Sequence, residues 1–387
     1  MRLRVVSGLL SVVSCVIAAT ACGGHVTGPG STRPAGAPPA TAASTPIRTV
    51  ALRAPWPERR ILPENVYIAS QVFDPATDVL YALVAKAPVT AGPYVLQATD
   101  LRTGAVRRGE SFPLAQLSLV AGYLWVSGAG TPPVLRQVGL GTLRTVRSVS
   151  PPGVSWASGA SWASGVAPGP AGSVWVGAYR TLLRISAGRG TVLARTVLPP
   201  GLGLSDMAAY PDGAYLYVSA AHVVAGGAQA GAVLLEYSAR TGQLLAETDR
   251  APISYSIAGA ELTALPEGVW VSFRTGMLGR SVLLSERALA TVIAPVPPRT
   301  PDGVYYWPMF SSSAYGGGAL WVTTQTGLVA CVNPATGLVR ATETVTSQSA
   351  QPGELMADGT TRQVFGFVWN EPYGGLVSIS PPRSCWG

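Results

Sequence analysis

A short motif centred on an aromatic residue recurs along most of this sequence and constrains the fold more than any other feature. The clearest copy is residues 318–322, Gly-Ala-Leu-Trp-Val, where an apolar strand precedes a turn and further short strands. The central aromatics of the successive copies are Tyr81, Trp125, Trp175, Tyr217, Trp270, Trp321 and Phe365. They lie 44, 50, 42, 53, 51 and 44 residues apart, so the chain contains seven similar units.

The spacing of these units predicts an all-β fold, a seven-bladed β-propeller over residues 47–387. One propeller blade occupies about 40–50 residues, which matches the observed period. No stretch has the apolar periodicity of an amphipathic helix, which an α-solenoid would require twice per unit. Thr-Gly pairs at 103–104, 241–242 and 336–337 predict tight turns before the outermost strands, because glycine readily adopts a positive φ.

The last unit is one strand short, and an extra strand precedes the first unit. We therefore predict that residues 48–52 pair as the outermost strand of the last blade, closing the ring and removing an open sheet edge. Cys331 and Cys385 lie in the sixth and last blades. They are the natural disulfide pair if the chain is exported.

The amino terminus has the pattern of a secretory signal. Arg2 and Arg4 precede an apolar run over residues 5–19, followed by Ala-Thr-Ala and Cys22. The run is short for a membrane span, which needs about 20 apolar residues. We predict a signal peptide over residues 1–21.

Cys22 follows small residues and resembles the lipid-modified cysteine of bacterial lipoproteins, although Ala19 stands where that family usually has leucine. Residues 22–46 are rich in Gly, Pro, Ala, Ser and Thr, and are expected to form a disordered tether. The resemblance implies a lipoprotein on the outer face of the cell membrane. Without acylation of Cys22 the protein would be secreted.

The repeat itself, Gly-x-Leu-Trp-Val followed by Asp/Asn-x-x-Thr-Gly-x-Val, resembles bacterial YVTN, PQQ-like and streptogramin-lyase-like propeller repeats over residues 47–387. These motifs are structural and are shared by proteins of many activities. The lyases need a catalytic histidine and a metal held by acidic groups. The one histidine of the repeat region is His222, which we place in a long loop over residues 219–231.

The alternative function is therefore an extracytoplasmic lyase or hydrolase that uses His222 and acidic loop residues. Candidate carboxylates are Asp206, Glu261, Asp302 and Glu354. The chain lacks a recognisable set of metal ligands or PQQ contacts, so no cofactor and no metal are expected.

The net charge of +8 comes almost wholly from arginine, since Lys86 is the only lysine. The arginines are scattered rather than clustered on one stretch, so nucleic acid is not an expected partner. We expect a monomer.

Aromatic and charged residues concentrate in the predicted loops of one face, where linkers between blades meet the turns between second and third strands. The candidate binding residues are Trp156, Trp162, Tyr179, Arg180, Tyr255, Arg274, Tyr305, Tyr306, Trp307 and Tyr373. Aromatics with a few polar groups are typical of concave recognition sites and interfaces. The same tryptophans could instead fill gaps between blades. The main prediction is a non-catalytic lipoprotein that binds an envelope protein, a glycan or a small ligand through this face.

Overall fold

The structure of the protein is a computed structural model in which the chain divides into two units, Met1–Arg53 and Ala54–Gly387. The residues described are 58–62, 66–86, 93–113, 115–128, 135–150, 165–210, 213–223, 229–249, 256–266, 268–275, 280–284, 291–293, 313–323, 328–336, 339–344, 350–370 and 373–386. The predicted signal peptide, Cys22 and the predicted tether lie outside these residues.

The described residues form seven antiparallel sheets of four strands. The first three sheets comprise β2–β5 (Val66–Asp74, Val79–Lys86, Tyr94–Asp100, Val106–Phe112), β6–β9 (Ala115–Val120, Tyr123–Gly128, Leu135–Gly139, Thr145–Val149) and β10–β13 (Val166–Gly169, Ser173–Ala178, Thr181–Ser186, Val192–Val197). The next three comprise β14–β17 (Leu202–Ala209, Tyr215–Val223, Gln229–Ser238, Leu244–Asp249), β18–β21 (Ser256–Leu265, Gly268–Thr275, Arg280–Leu284, Thr291–Ile293) and β22–β25 (Ser313–Gly316, Ala319–Thr323, Leu328–Val332, Val339–Thr344). The seventh comprises β26–β28 (Ala350–Asp358, Gln363–Asn370, Tyr373–Ile379) and β1 (Glu58–Leu62).

The sheets are arranged as in a propeller. In each of the first six sheets the strands lie in chain order, so the first and fourth strands form the two edges. The first strand of each sheet contacts the first strand of the next, and β26 contacts β2. The expectation of an all-β propeller fold is confirmed.

The seventh sheet draws its strands from both ends of the propeller region. β1 pairs antiparallel with β28, with Glu58 opposite Ile379 and Leu62 opposite Leu376. The strand predicted over residues 48–52 lies outside the described residues. The strand that pairs with β28 is ten residues further along the chain.

The core consists of the second strand of each sheet and the side chains of neighbouring strands that pack on it. The seven central aromatics are at most 2% exposed. All six residues of β11 and all five of β23 are buried. A strand covered on both faces reads as an uninterrupted apolar run, because side chains pointing either way meet a neighbouring sheet. This explains why the repeat is centred on continuous stretches such as Leu-Trp-Val.

Connectivity gives the propeller two faces. One face, here called the turn face, carries the turns from first to second and from third to fourth strands. The opposite linker face carries the turns from second to third strands and the linkers between sheets. The predicted tight turns occur on the turn face, with Gly104 at φ 75° and Gly242 at φ 74°.

The two cysteines of the last blades are close together, but the predicted disulfide is wrong for this structure. Cys331 in β24 and Cys385 in the 3-10 turn Arg383–Cys385 are buried free thiols. The Cys331 thiol lies 3.6 Å from the Cys385 carbonyl oxygen and also hydrogen-bonds the Cys385 thiol. This hydrogen bond and burial raise the pKa of Cys331, so its neutral thiol is favoured. Trp386 covers the pair and packs on Trp321, with ring centroids 4.8 Å apart.

No helix among the described residues is long and apolar enough to cross a membrane.

Candidate functional site

On the linker face, the structure describes the turn Tyr179–Arg180 between β11 and β12. Tyr179 has a positive φ of 49°, which is uncommon for a residue other than glycine. Two backbone hydrogen bonds hold this turn against the following linker and the first strand of the next sheet, β14. The Leu204 N–H donates to the Tyr179 carbonyl (2.7 Å), and the Leu198 N–H donates to the Arg180 carbonyl (2.8 Å). The strained turn is therefore fixed by its surroundings.

The side chain of Arg180 is only partly satisfied. Its Nη2 donates to the Pro199 carbonyl at 3.4 Å, at the long end for a hydrogen bond. Its Nε is buried and has no hydrogen-bond partner among the described residues. A buried N–H without an acceptor is costly, and such atoms often mark a place where a ligand or water binds. Tyr179 and Arg180 are both half-buried, so a ligand can reach them.

The other predicted binding residues are not brought together in the part of the chain that the structure describes. Trp156, Trp162, Tyr255, Tyr305, Tyr306 and Trp307 lie outside it. Arg274 and Tyr373 were expected in loops, but they belong to strands β19 and β28, so these strands extend further toward the linker face than predicted. Tyr179 and Arg180 are thus the members of the predicted site that lie in a described turn.

The sequence predicted His222 in a loop, but in the structure it belongs to a strand. It lies within β15, with its Cα opposite Leu202 of β14 and Ala230 of β16, and its side chain is exposed. The Gly/Ala-rich stretch continues the hairpin instead of ending it, because alanine and glycine are compatible with paired strands when the neighbouring strand supplies the contacts. Within the described residues there is no cluster of three or more His, Cys, Asp or Glu that could hold a metal.

Asp206, one of the candidate carboxylates, serves as a bridge between sheets. Its Oδ1 accepts the backbone N–H of Met207 (2.8 Å), and its Oδ2 accepts that of Leu262 in the next sheet (2.8 Å). Ser70 makes the equivalent bridge earlier in the chain, accepting the Leu117 N–H at 3.0 Å. Side chains of inner strands therefore satisfy backbone donors of the neighbouring inner strand.

Several arginines make a second set of bridges near the rim of the turn face. Arg107 of β5 donates to the carbonyl of Gly141 (2.7 Å), and Arg147 of β9 donates to that of Gly188 (2.7 Å). Each acceptor lies in the turn from third to fourth strand of the next sheet. Part of the arginine excess thus joins consecutive sheets, a role that the spacing of the repeats does not indicate.

A cavity of about 300 Å³ opens between the first and seventh sheets. Phe73 and Phe365 lie at its apolar side, with ring centroids 5.1 Å apart. Its polar side includes Arg102, Asp78 and Asp358, all in or next to turns of the turn face. Asp358 is buried and accepts the backbone N–H of Thr360 at 2.8 Å, so it serves its own turn. The repeat pattern does not indicate this cavity, because its walls come from opposite ends of the propeller region.

Comparison with known proteins supports the fold and does not extend to activity. No known protein family matches the sequence, and no curated protein is significantly similar. Among solved structures, the chain is similar to the β-propeller domain of Cps50 (Swd1) from Myceliophteria thermophila. The TM-score is 0.59 and the identity 11%, over 84% of this chain and 100% of that domain. The class defined by fold and comparison is therefore a β-propeller protein.

Proposed function

We propose that this protein is a seven-bladed, lipid-anchored propeller that works outside the cytoplasm as a binding protein, without catalysis. The seven described sheets, the contacts between their first strands and the pairing of β1 with β28 support a ring closed by an N-terminal strand. The signal-like start and Cys22 after small residues support export and acylation. The resemblance to YVTN, PQQ-like and streptogramin-lyase-like repeats is part of the same proposal.

The binding role draws its main support from Arg180. Arg180 is half-buried beside a half-buried tyrosine in a fixed turn, and its Nη2 makes only a long hydrogen bond of 3.4 Å to the Pro199 carbonyl, so the guanidinium retains donors for an oxygen of a partner. Tyrosine and arginine together are the residues that interfaces favour. The partner is an envelope protein, a glycan or a small ligand that presents a carbonyl or carboxylate oxygen to the linker face.

The test is capture from detergent-solubilised envelope of the source cells, with the purified protein immobilised through its carboxyl terminus. We expect wild type to retain a specific partner, and Arg180→Gln to lose most of that capture while its thermal unfolding stays unchanged. Arg189→Gln is the matched control, because Arg189 lies in a turn of the opposite face of the same sheet. Equal capture by Arg180→Gln and wild type would refute the proposed face.

Acylation is tested separately by metabolic labelling with radioactive palmitate. Wild type should incorporate label and fractionate with membranes, and Cys22→Ser should not incorporate it. A labelled Cys22→Ser protein, or an unlabelled wild type, would contradict the lipid anchor.

A further inference from the structure

The turns from third to fourth strand in the first four sheets share a feature that the repeat motif does not require. Each turn carries one exposed arginine, and each following strand begins with one or two exposed aliphatic side chains. The arginines are Arg102, Arg144, Arg189 and Arg240. The aliphatic residues are Val106, Val146, Val192, Leu193, Leu244 and Leu245, which are 37–57% exposed. We call these ten residues the collar.

The collar lies along one rim of one face. Hydrogen bonds link its turns in order: Arg107 donates to Gly141, Arg147 donates to Gly188, and Thr196 donates to Gly242 (2.9 Å). Each bond runs from an outer strand to the turn of the next sheet, so these turns join consecutive sheets. Connectivity places all four turns on the turn face.

Each of the four turns of the collar contributes one arginine. Asp100, at the end of β4, accepts the backbone N–H groups of Thr103 (2.8 Å) and Arg102 (2.9 Å), which lowers its pKa and keeps it ionised. Glu110 of β5 accepts the hydroxyl of Thr145 (2.6 Å) beside Arg144, and Asp78 and Asp358 line the same cavity as Arg102. Acids therefore adjoin the first two turns of the collar, whereas Arg189 and Arg240 lie in the other two. The collar therefore combines basic and exposed aliphatic side chains.

The chain also enters the propeller on this face. β1 begins at Glu58, opposite Ile379 at the end of β28, and β28 ends at the turn face because it is the third strand of its sheet. β1 therefore begins on the same face as the collar.

We propose that the collar is a membrane-binding surface that docks the turn face on anionic lipid headgroups. Arginines attract the negative surface, and neighbouring aliphatic side chains insert at the boundary between headgroups and acyl chains, as in peripheral membrane proteins. The inference rests on the proposed membrane location and adds an orientation to it. With the turn face on the lipid, the linker face with Tyr179 and Arg180 points away from the membrane, toward a partner.

The experiment measures binding to vesicles without any lipid anchor. The mature chain from residue 22, with Cys22→Ser, is mixed with vesicles of phosphatidylcholine alone or with 30% phosphatidylglycerol, and bound protein is separated by flotation. We expect binding to the anionic vesicles that weakens with salt, and little binding to neutral vesicles. Because this protein cannot be acylated, the result does not depend on whether Cys22 carries lipid in cells.

Matched variants assign the binding to the collar. Arg189→Gln and Arg240→Gln should each weaken binding about fivefold, the loss expected for one basic residue at an anionic surface. Arg180→Gln removes the same charge from the linker face and should bind as the parent protein does. Leu193→Ser with Leu245→Ser should weaken binding about tenfold, because aliphatic burial is lost.

Any of three results would overturn the proposal. The first is equal binding to neutral and anionic vesicles. The second is an equal loss of binding in Arg180→Gln and Arg189→Gln. The third is unchanged vesicle binding by the double leucine variant together with equally tight binding of a soluble polyanion such as heparin, which would assign the arginines to an acidic polymer. Far-ultraviolet circular dichroism of every variant checks that the sheets are retained.

Discussion

The bridge made by Asp206 allows a test of how the sheets hold together. Replacing Asp206 with alanine removes the acceptor of the Leu262 N–H, and leaves that donor on an inner strand whose Leu262 side chain is 8% exposed. It also removes the acceptor of the Met207 N–H beside it. Hydrogen bonds to a charged group contribute about 1.5–3 kcal/mol each, and an unsatisfied buried donor costs about 1–3 kcal/mol.

We therefore expect Asp206→Ala to lower the free energy of unfolding by about 2–4 kcal/mol. Asp206→Asn keeps one carbonyl oxygen as acceptor and should lose about half as much. Urea denaturation monitored by tryptophan fluorescence measures both losses of unfolding free energy. The comparison holds provided that the m-value, the slope of that free energy against urea concentration, is the same in the variants and wild type.

The control is Asp100→Ala, which removes acceptors within a single turn and no bridge between sheets. It should destabilise the protein less than Asp206→Ala does. An Asp206→Ala protein with a wild-type urea midpoint would refute the reasoning that inner-strand side chains join the sheets.

Two further predictions concern buried groups. The buried hydroxyl of Tyr237 has no hydrogen-bond partner among the described residues, and burial raises its pKa to about 12. The folded state thus retains a proton that the unfolded state releases near pH 10, and stability should fall as pH rises from about 10 to 12. Tyr237→Phe should keep wild-type stability at pH 7 in thermal melts and lose less stability than wild type over that range; an equal loss would contradict this assignment. The thiols of Cys331 and Cys385 should react with Ellman's reagent only after denaturation, because both are buried. In a Cys22→Ser chain lacking residues 1–21, two thiols should then titrate, and none would indicate a disulfide that this structure does not contain.

The architecture was largely predictable from the sequence because the repeat encodes it locally. Trp321 is preceded and followed by apolar residues, and the motif at residues 318–322 corresponds to β23, Ala319–Thr323. The inner strand of the same unit, β22 (Ser313–Gly316), has no such apolar run. The inner strands vary from four residues in β10 and β22 to ten in β18, so their bounds depend on the neighbouring sheet more than on their own pattern.

The candidate site was harder to predict. Sequence reasoning placed Tyr179 and Arg180 in a turn, and the structure agrees. It placed His222 in a loop because alanine and glycine are weak strand formers, but pairing with two neighbouring strands overrides that preference. Whether the predicted tryptophans form a recognition surface stays a prediction.

The sequence by itself determined that this chain builds sheets around buried aromatics, since a periodic apolar run with glycine turns has few other stable outcomes. Only the tertiary structure decided what the polar residues do. Asp206 bridges two sheets, and Arg107 and Arg147 reach the turns of the neighbouring sheets. The physical reason is distance along the chain: the partners of these side chains are 34–56 residues away, so their roles exist only once the sheets stand next to each other.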